Sequence, residues 1–197
     1  MGLVVVTVDQ RDSRTTPDRI PDAVEALADV PFLRAVERTA GDEFQGVLDS
    51  PDALARVVET LLRQGVWNIG IGAGDADDLP PSTRAGRGPV FLAARDAVTA
   101  AKSSPWHLRV VGEHPATRPL ETTIWLWAAV LARRTSRGWE VADLVTEGLS
   151  YDETGRRLGI SSSAVSQRAQ AAGIVESRRA RELVVDLTRC LLGEEPS

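Results

Sequence analysis

The sequence is poor in the residue types that secreted scaffolds and metal-binding domains use. Its 197 residues include one cysteine, Cys190, so no disulfide can form within the chain, and a reducing compartment is expected. The only histidines, His107 and His114, are too few and too badly spaced to form a zinc site with that cysteine. These scarcities exclude a disulfide-stapled scaffold and a structural zinc domain.

Long hydrophobic runs are also missing. The longest covers residues 124–132, far short of the roughly 20 apolar residues that a membrane-spanning helix needs. The chain enters a strand-like run at once, without the basic segment and apolar core of a secretory signal. We therefore expect a cytoplasmic protein with no membrane partner.

Lysine is nearly absent, since Lys102 is the only one and all other basic side chains are arginines. The net charge of −5 argues against a nonspecific coat on nucleic acid, but its distribution is uneven. Residues 1–120 carry 17 acidic and 13 basic side chains, whereas residues 150–190 carry 5 acidic and 7 basic ones. The C-terminal part therefore has a mild basic bias.

Strand and helix patterns alternate over about the first 112 residues. Strands are predicted over 3–8, 32–40, 43–48, 66–74 and 107–111, and helices over 22–30, 51–64 and 89–102. The order βαββαβαβ predicts one mixed sheet of five strands with helices on one face, as in ferredoxin-like or palm architectures.

From about residue 120 the pattern is helical throughout. The paired tryptophans of this stretch, Trp125 and Trp127, are interpreted as core or interdomain packing in preference to a ligand site. A last helix over 177–192 is expected to close a small helical domain, with a dimer seam as the alternative. The fold class is therefore α+β, with domains at 1–115 and 139–197 joined by a helix at 116–138.

Residues 150–173 have the pattern of two short helices joined by a tight turn. Ser150 and Glu153 form a predicted capping box, Gly159 permits a sharp exit, and Ser161 can cap the next helix at once. The second helix would place short polar side chains on its outer face. This arrangement is typical of a helix-turn-helix, although an ordinary αα-hairpin in a bundle remains the alternative.

The segment resembles the helix-turn-helix of region 4 in sigma factors and related bacterial regulators, in Gly148-Leu149-Ser150, Leu158-Gly159-Ile160-Ser161 and Ser163-Ala164-Val165. The second helix of such a motif enters the major groove of double-stranded DNA. The candidates for base contact are Ser163, Ser166, Gln167 and Gln170, with Arg168 as a phosphate contact.

Two aspartates mark a second candidate site. Asp9 ends the first predicted strand, and Asp42 lies in the Gly41-Asp42 hairpin connection. If those strands are neighbours, the two carboxylates could hold Mg²⁺ together with the oxygens of a nucleoside triphosphate. Taken alone, each aspartate is better explained as a good turn residue.

Four ordered motifs resemble the nucleotidyl cyclase fold, and more closely the bacterial SatD family. They are Val6-Thr7-Val8-Asp9, Ala40-Gly41-Asp42-Glu43-Phe44-Gln45-Gly46, Asn68-Ile69-Gly70-Ile71-Gly72-Ala73-Gly74 and Gly88-Pro89-Val90-Phe91-Leu92-Ala93-Ala94-Arg95. The resemblance covers about residues 3–112. It implies that Asp9 and Asp42 are metal carboxylates and that Arg95 contacts phosphate.

The pattern departs from the cyclases where Phe91 replaces an asparagine that would orient the ribose and where Ala40 replaces a glycine. We therefore expect nucleotide binding or dimerisation more than turnover. The glycines at 70, 72 and 74 are followed by an acidic, proline-containing loop and not by a helix, so they predict close backbone packing and not a dinucleotide site.

Together these features predict a homodimeric DNA-binding regulator with an N-terminal domain that senses a nucleotide or dimerises. Two other classes stay open. One is an Mg²⁺-dependent enzyme of the nucleotidyl cyclase type, and the other is a scaffold whose helical tail binds another protein.

Overall fold

The computed structural model describes residues 2–79 and 81–194, so that Met1, Pro80 and the last three residues of the predicted C-terminal domain lie outside the described residues. Its strands are β1 (Leu3–Gln10), β2 (Arg34–Ala40), β3 (Glu43–Leu48), β4 (Trp67–Gly74) and β5 (Leu108–Val111). Its α-helices are α1 (Ile20–Ala26), α2 (Pro51–Gln64), α3 (Pro89–Ala101), α4 (Thr117–Leu131), α5 (Ser136–Thr146), α6 (Tyr151–Leu158), α7 (Ser162–Ala171) and α8 (Ile174–Leu192). The predicted order of elements is confirmed, and the class is mixed helix and sheet, compatible with α+β.

The five strands form one mixed sheet in the order β2-β3-β1-β4-β5. β1 is central and antiparallel to both β3 and β4, while β4 and β5 form a parallel pair. In this register Asp9 lies opposite Glu43 on one side and Asn68 on the other. The end of β1 therefore meets the β2–β3 hairpin and the start of β4 at a single edge of the sheet.

Both faces of the sheet are covered, which corrects the expectation of helices on one face only. Val4, Val6 and Val8 point into the main core, whose helical side chains come from α1, α2, α4 and α8. Val5 points the opposite way and packs with Val90, Phe91 and other side chains against α3. Because every side chain of β1 from Leu3 to Val8 is buried, the strand reads as a continuous apolar run and shows no alternation.

Glycines on β4 allow α3 to lie directly on the sheet. A β-carbon at Gly70 would come within 2.2 Å of the Val98 nitrogen, and one at Gly72 within 2.4 Å of the Val90 carbonyl oxygen. A helix this close to a strand has no room for side chains between them, so the prediction of close backbone packing is confirmed. The same glycines explain why a helix can cover the second face.

The main core extends beyond the N-terminal pattern into α4 and α8. Trp127 is fully buried and donates a hydrogen bond from Nε1 to Ser177 Oγ at 2.8 Å, so its predicted packing role is confirmed. Val184 and Leu191 of α8 are buried in the same cluster as β1. The expectation that this last helix closes a separate helical domain is therefore wrong, since its apolar face packs on α2 and α4 in the main core. The boundaries at 115 and 139 stay a prediction.

Helices α5, α6 and α7 form a small unit with a core of its own. Val141, Val165 and Ala169 are buried together, and their cluster is completed by Val145, Tyr151, Leu158, Ile160 and Ile174. None of the helices within residues 2–79 and 81–194 is long and apolar enough to cross a membrane.

Candidate functional site

An open cleft of about 580 Å³ lies at the edge of the sheet where β1 ends. It is lined by Asp9, Gln10, Arg11, Asp12, Ser13, Arg14, Thr15, Asp42, Asn68, Lys102 and His107. The two aspartates predicted as metal carboxylates are thus brought to one cavity.

Asp9 is positioned by the alternation of β1, which turns its side chain toward the face that α3 covers. The side chain is only 15% exposed. Its Oδ2 accepts a hydrogen bond from Asn68 Nδ2 at 2.9 Å and lies 3.4 Å from Lys102 Nζ. The carboxylate is therefore oriented from the neighbouring strand and balanced by a cation from the end of α3.

Asp42 is held by the hairpin on one side and by the loop after β1 on the other. Gly41 takes a φ of +48°, a left-handed conformation that few other residues adopt, and this lets the connection turn in two residues. The Asp42 carbonyl oxygen accepts from the Gln10 backbone N–H at 3.0 Å, and its carboxylate accepts from the Ser13 hydroxyl. The loop is thereby closed over the hairpin.

Gln10 fixes the path of that loop. Its side chain is almost fully buried, donates from Nε2 to the Pro17 carbonyl oxygen at 2.8 Å, and accepts at Oε1 from the Arg19 backbone N–H at 2.8 Å. Such hydrogen bonds satisfy a buried amide that would otherwise be costly. These hydrogen bonds hold the loop that carries Arg11, Asp12 and Ser13 in place as part of the cleft wall.

The cleft combines carboxylates with cations. Asp9, Asp12 and Asp42 line it alongside Arg11, Arg14 and Lys102. Mg²⁺ in proteins is commonly bound by one or two carboxylates together with substrate phosphates and water, and arginine and lysine bind phosphate oxygens. The donor set at Asp9 and Asp42 therefore fits an Mg²⁺ ion that arrives with a polyphosphate. Among the described residues no group of three or more His, Cys, Asp or Glu side chains could hold a metal by itself.

Arg95, the predicted phosphate contact, is exposed on α3 and does not line this cleft. Lys102 lies at the end of the same helix, seven residues or about 10 Å further along its axis, and does line it. The sequence reasoning missed Lys102, Asn68 and His107. Only Lys102 carried a signal, as the single lysine in a chain that otherwise uses arginine.

The second candidate site is the turn between α6 and α7. Ser150 and Glu153 form the predicted capping box, Gly159 ends α6 with a φ of +66°, and Ser161 caps α7 through the Ala164 N–H. The Ser150 hydroxyl and backbone N–H both donate to the Glu153 carboxylate, and these hydrogen bonds lower the pKa of that carboxyl. The helix boundaries of this segment are thus fixed by local chemistry.

The outer face of α7 is polar and open. Ser163, Ser166, Gln167 and Gln170 are exposed, whereas Arg168 is half-buried at the edge of that face. Within the described part of the chain the side chains of Ser166, Gln167 and Gln170 form no hydrogen bond, and Ser163 contacts only the Ser161 hydroxyl, at 3.0 Å. The donors and acceptors of this face are therefore free for an external partner.

A group of charged and aromatic side chains joins the helical unit to the sheet. The Trp139 ring contacts two guanidiniums, with Arg63 4.3 Å and Arg134 4.6 Å from its centroid. Arg134 also donates from Nε to the Ala172 carbonyl oxygen at 2.8 Å, at the end of α7. Burial raises the pKa of the nearby Glu59 carboxyl, although Arg181 and Arg134 act in the opposite direction. The helical unit formed by α5, α6 and α7 is thus in direct contact with α2 and with the segment that follows α4.

The two candidate sites lie in different parts of the fold. The cleft belongs to the sheet edge, and the polar face belongs to α7 in the helical unit. No family model, curated protein or solved structure matches this chain.

Proposed function

We propose that this protein is a sequence-specific DNA-binding transcriptional regulator whose N-terminal domain senses a nucleotide. The observation that carries the proposal is the outer face of α7, where four small or amide side chains are exposed and Ser166, Gln167 and Gln170 have no partner within the described residues. Serine and glutamine side chains can reach base edges in the major groove, and glutamine can bond adenine through two hydrogen bonds.

The local architecture supports a helix-turn-helix domain. α6 and α7 are short, they are joined by a three-residue turn, and α5 packs behind α7 through Val141 and Val165. The polar face of α7 that remains exposed is the face that the second helix of a helix-turn-helix presents to the major groove. Dimerisation is part of the proposal, because such proteins bind paired half-sites about one helical turn apart.

The sheet supports a domain of the ferredoxin-like and nucleotidyl cyclase type. The order β2-β3-β1-β4, with each adjacent pair antiparallel, is the order that a split βαββαβ unit produces. β5 and α3 then extend it on one edge and on the second face. In that frame Asp9 and Asp42 share a cleft, which is what membership of the SatD family would imply.

The residues of the N-terminal domain favour nucleotide binding without catalytic turnover. Phe91, at the position of the cyclase asparagine, is buried beneath Gly86 and offers no polar group to a ribose. Asp9, Asp42 and Lys102 remain as a set that could hold Mg²⁺ and phosphate. The protein is proposed to act in the cytoplasm, where nucleotides and DNA are both available.

The DNA half of the proposal is tested by selection. The full-length protein is incubated at physiological salt with a random double-stranded library, and bound duplexes are recovered and sequenced over several rounds. Enrichment of a common sequence, expected as two related half-sites, supports the proposal. Recovery of unrelated sequences in every round would overturn it, and co-purification of another protein without DNA would favour the scaffold.

The nucleotide half is tested by titrating the four common ribonucleoside triphosphates with Mg²⁺ and measuring both heat and pyrophosphate. We expect binding of at least one triphosphate, weakened by Asp42→Asn, without pyrophosphate release. Release that Asp42→Asn abolishes would instead identify an enzyme of the cyclase type. Absence of binding would overturn nucleotide sensing.

A further inference from the structure

A second, smaller cavity adjoins the carboxylate cleft. It has a volume of about 270 Å³ and lies between α2, α4 and the segment that precedes β5. Its walls are mostly apolar and include Leu62, Trp67, Trp106 and Ala132. Arg11 and His107 line both this cavity and the cleft, so the two spaces meet at these residues.

The segment before β5 holds an unusual backbone conformation. Trp106 and His107 have φ values of +56° and +51°, in the left-handed region, which histidine adopts more readily than most residues but tryptophan adopts rarely. Consecutive residues in this region are costly and tend to occur where a side chain must be held for a ligand. Here the conformation leaves the Trp106 side chain 42% exposed at the wall of the apolar cavity.

His107 brings an unused polar atom to the same place. Its Nδ1 is buried and has no hydrogen-bond partner among the described residues. Burial lowers the pKa of this imidazole, and the nearby Arg11 lowers it further. A neutral ring nitrogen can accept or donate one hydrogen bond, according to its tautomer, and leaving it unpaired when buried is unfavourable.

We propose that the apolar cavity takes the nucleobase of a nucleotide whose phosphates lie in the cleft at Asp9 and Asp42. This inference rests on the nucleotide-sensing part of the proposed function and adds a base subsite to it. The base stacks on the Trp106 indole, with the His107 ring at its edge. Arg11, at the junction of the two spaces, faces the phosphate nearest the sugar.

The chemistry of the two spaces is complementary to the two ends of a nucleotide. The cleft supplies carboxylates and cations, which suit a metal-bound polyphosphate, whereas the cavity supplies aromatic and aliphatic surface for a planar ring. Stacking of a base on an aromatic side chain is tolerant of base identity, so the size of the ring relative to the cavity would set any preference.

The test compares ligands with and without a base. Isothermal titration calorimetry measures the affinity of the full-length protein for ATP, GTP, CTP and UTP with Mg²⁺, and for Mg²⁺ tripolyphosphate as the base-free control. We expect at least one nucleotide to bind roughly ten-fold or more tightly than tripolyphosphate, because base stacking is worth about that much.

Substitutions then separate the base subsite from the phosphate cleft. Trp106→Ala should lower nucleotide affinity by about ten-fold and leave tripolyphosphate affinity unchanged, whereas Trp106→Phe should retain most of it. Ala132→Phe fills the cavity from an exposed helix end and should have the same effect as Trp106→Ala. Leu126→Ala, at a side chain 66% exposed on α4 and outside both spaces, is the control and should bind like the wild type.

The outcomes distinguish the two proposals. Equal affinity of the wild type for nucleotides and tripolyphosphate, or an equal loss for both ligands in Trp106→Ala, would overturn the base subsite alone. Failure of the wild type to bind any of these ligands would overturn the base subsite and nucleotide sensing together, and would leave DNA binding by α7 untouched.

Discussion

Arg63 on α2 and Asp143 on α5 form a bidentate ion pair, with guanidinium nitrogens 2.8 and 2.9 Å from the two carboxylate oxygens. The residues are 80 positions apart in the chain, so the pair ties the helical unit to the body of the sheet. The same guanidinium lies 4.3 Å from the centroid of the Trp139 ring, and the Arg134 guanidinium lies 4.6 Å from it. The relative position of α5 is therefore fixed by one aromatic ring and three charged side chains.

Trp139 is expected to dominate this contact, because a half-exposed ion pair contributes little by itself. Trp139→Ala removes the ring and both cation–π contacts and should lower the free energy of unfolding by about 2–4 kcal/mol. Asp143→Ala, the control, should cost less than about 1 kcal/mol. Chemical denaturation measures both, and a larger loss for Asp143→Ala than for Trp139→Ala would contradict this ranking.

The close approach of α3 to β4 predicts strong intolerance at Gly72. Gly72→Ala would place a methyl group 2.4 Å from the Val90 carbonyl oxygen, so the helix must move, at a cost of about 3 kcal/mol or more. Ala73→Gly, on the opposite face of the same strand, should cost only about 1 kcal/mol. Thermal and chemical denaturation check the contrast, and comparable losses for the two variants would contradict it.

Much of the fold could be predicted because its signals are local. The Ser50-Pro51 start of α2, the Gly41-Asp42 turn, and the capping box at Ser150 each fix a boundary through nearby backbone chemistry. The packing of α3 on the second face of the sheet could not be predicted as easily. It depends on distances between Gly70 and Val98, which only the packed structure reveals.

The same contrast applies to the candidate site. Asp9 and Asp42 were identifiable because each ends a recognisable strand or turn. Lys102, Asn68 and His107 lie on three other elements, and nothing in their local sequence indicates that they meet. The position of Arg95 shows the limit of motif matching, since a residue on the expected helix is two turns away from the cleft.

The capping box predicts a modest and position-specific effect. Ser150→Ala removes the acceptor for the Glu153 backbone N–H and the donor to the Glu153 carboxylate, so the protein should lose about 1 kcal/mol of stability. Ser150→Thr should retain most of that stability because it keeps the hydroxyl. Equal stability of Ser150→Ala and the wild type in urea denaturation would show that tertiary packing alone holds α6.

His107 predicts a pH dependence of stability. Its pKa is lowered in the folded protein by burial and by Arg11, so below about pH 6.5 the unfolded chain binds more protons than the folded one. The stability contributed by the neutral imidazole is therefore present above that pH and is lost as the pH falls through the folded pKa. His107→Asn, which suits the left-handed backbone, should flatten the decline below about pH 6.5.

Denaturation midpoints measured across that range test this expectation. Thr122→Ala, at an exposed side chain of α4 that does not titrate, is the control and should follow the wild-type profile. Parallel profiles for His107→Asn and the wild type would contradict the inference that a partly buried neutral imidazole stabilises the folded state.

The central claim, that α7 reads DNA sequence, is tested most directly by a ratio of affinities. The full-length protein is titrated at physiological salt with the duplex recovered by selection and with a shuffled duplex of the same composition, in the wild type, in Gln167→Ala and in Thr122→Ala on α4. We predict that the wild type and Thr122→Ala prefer the selected duplex by about 10³-fold or more. Gln167→Ala should reduce that preference roughly ten-fold without lowering the unfolding free energy. Equal affinity of the wild type for the two duplexes would contradict the account.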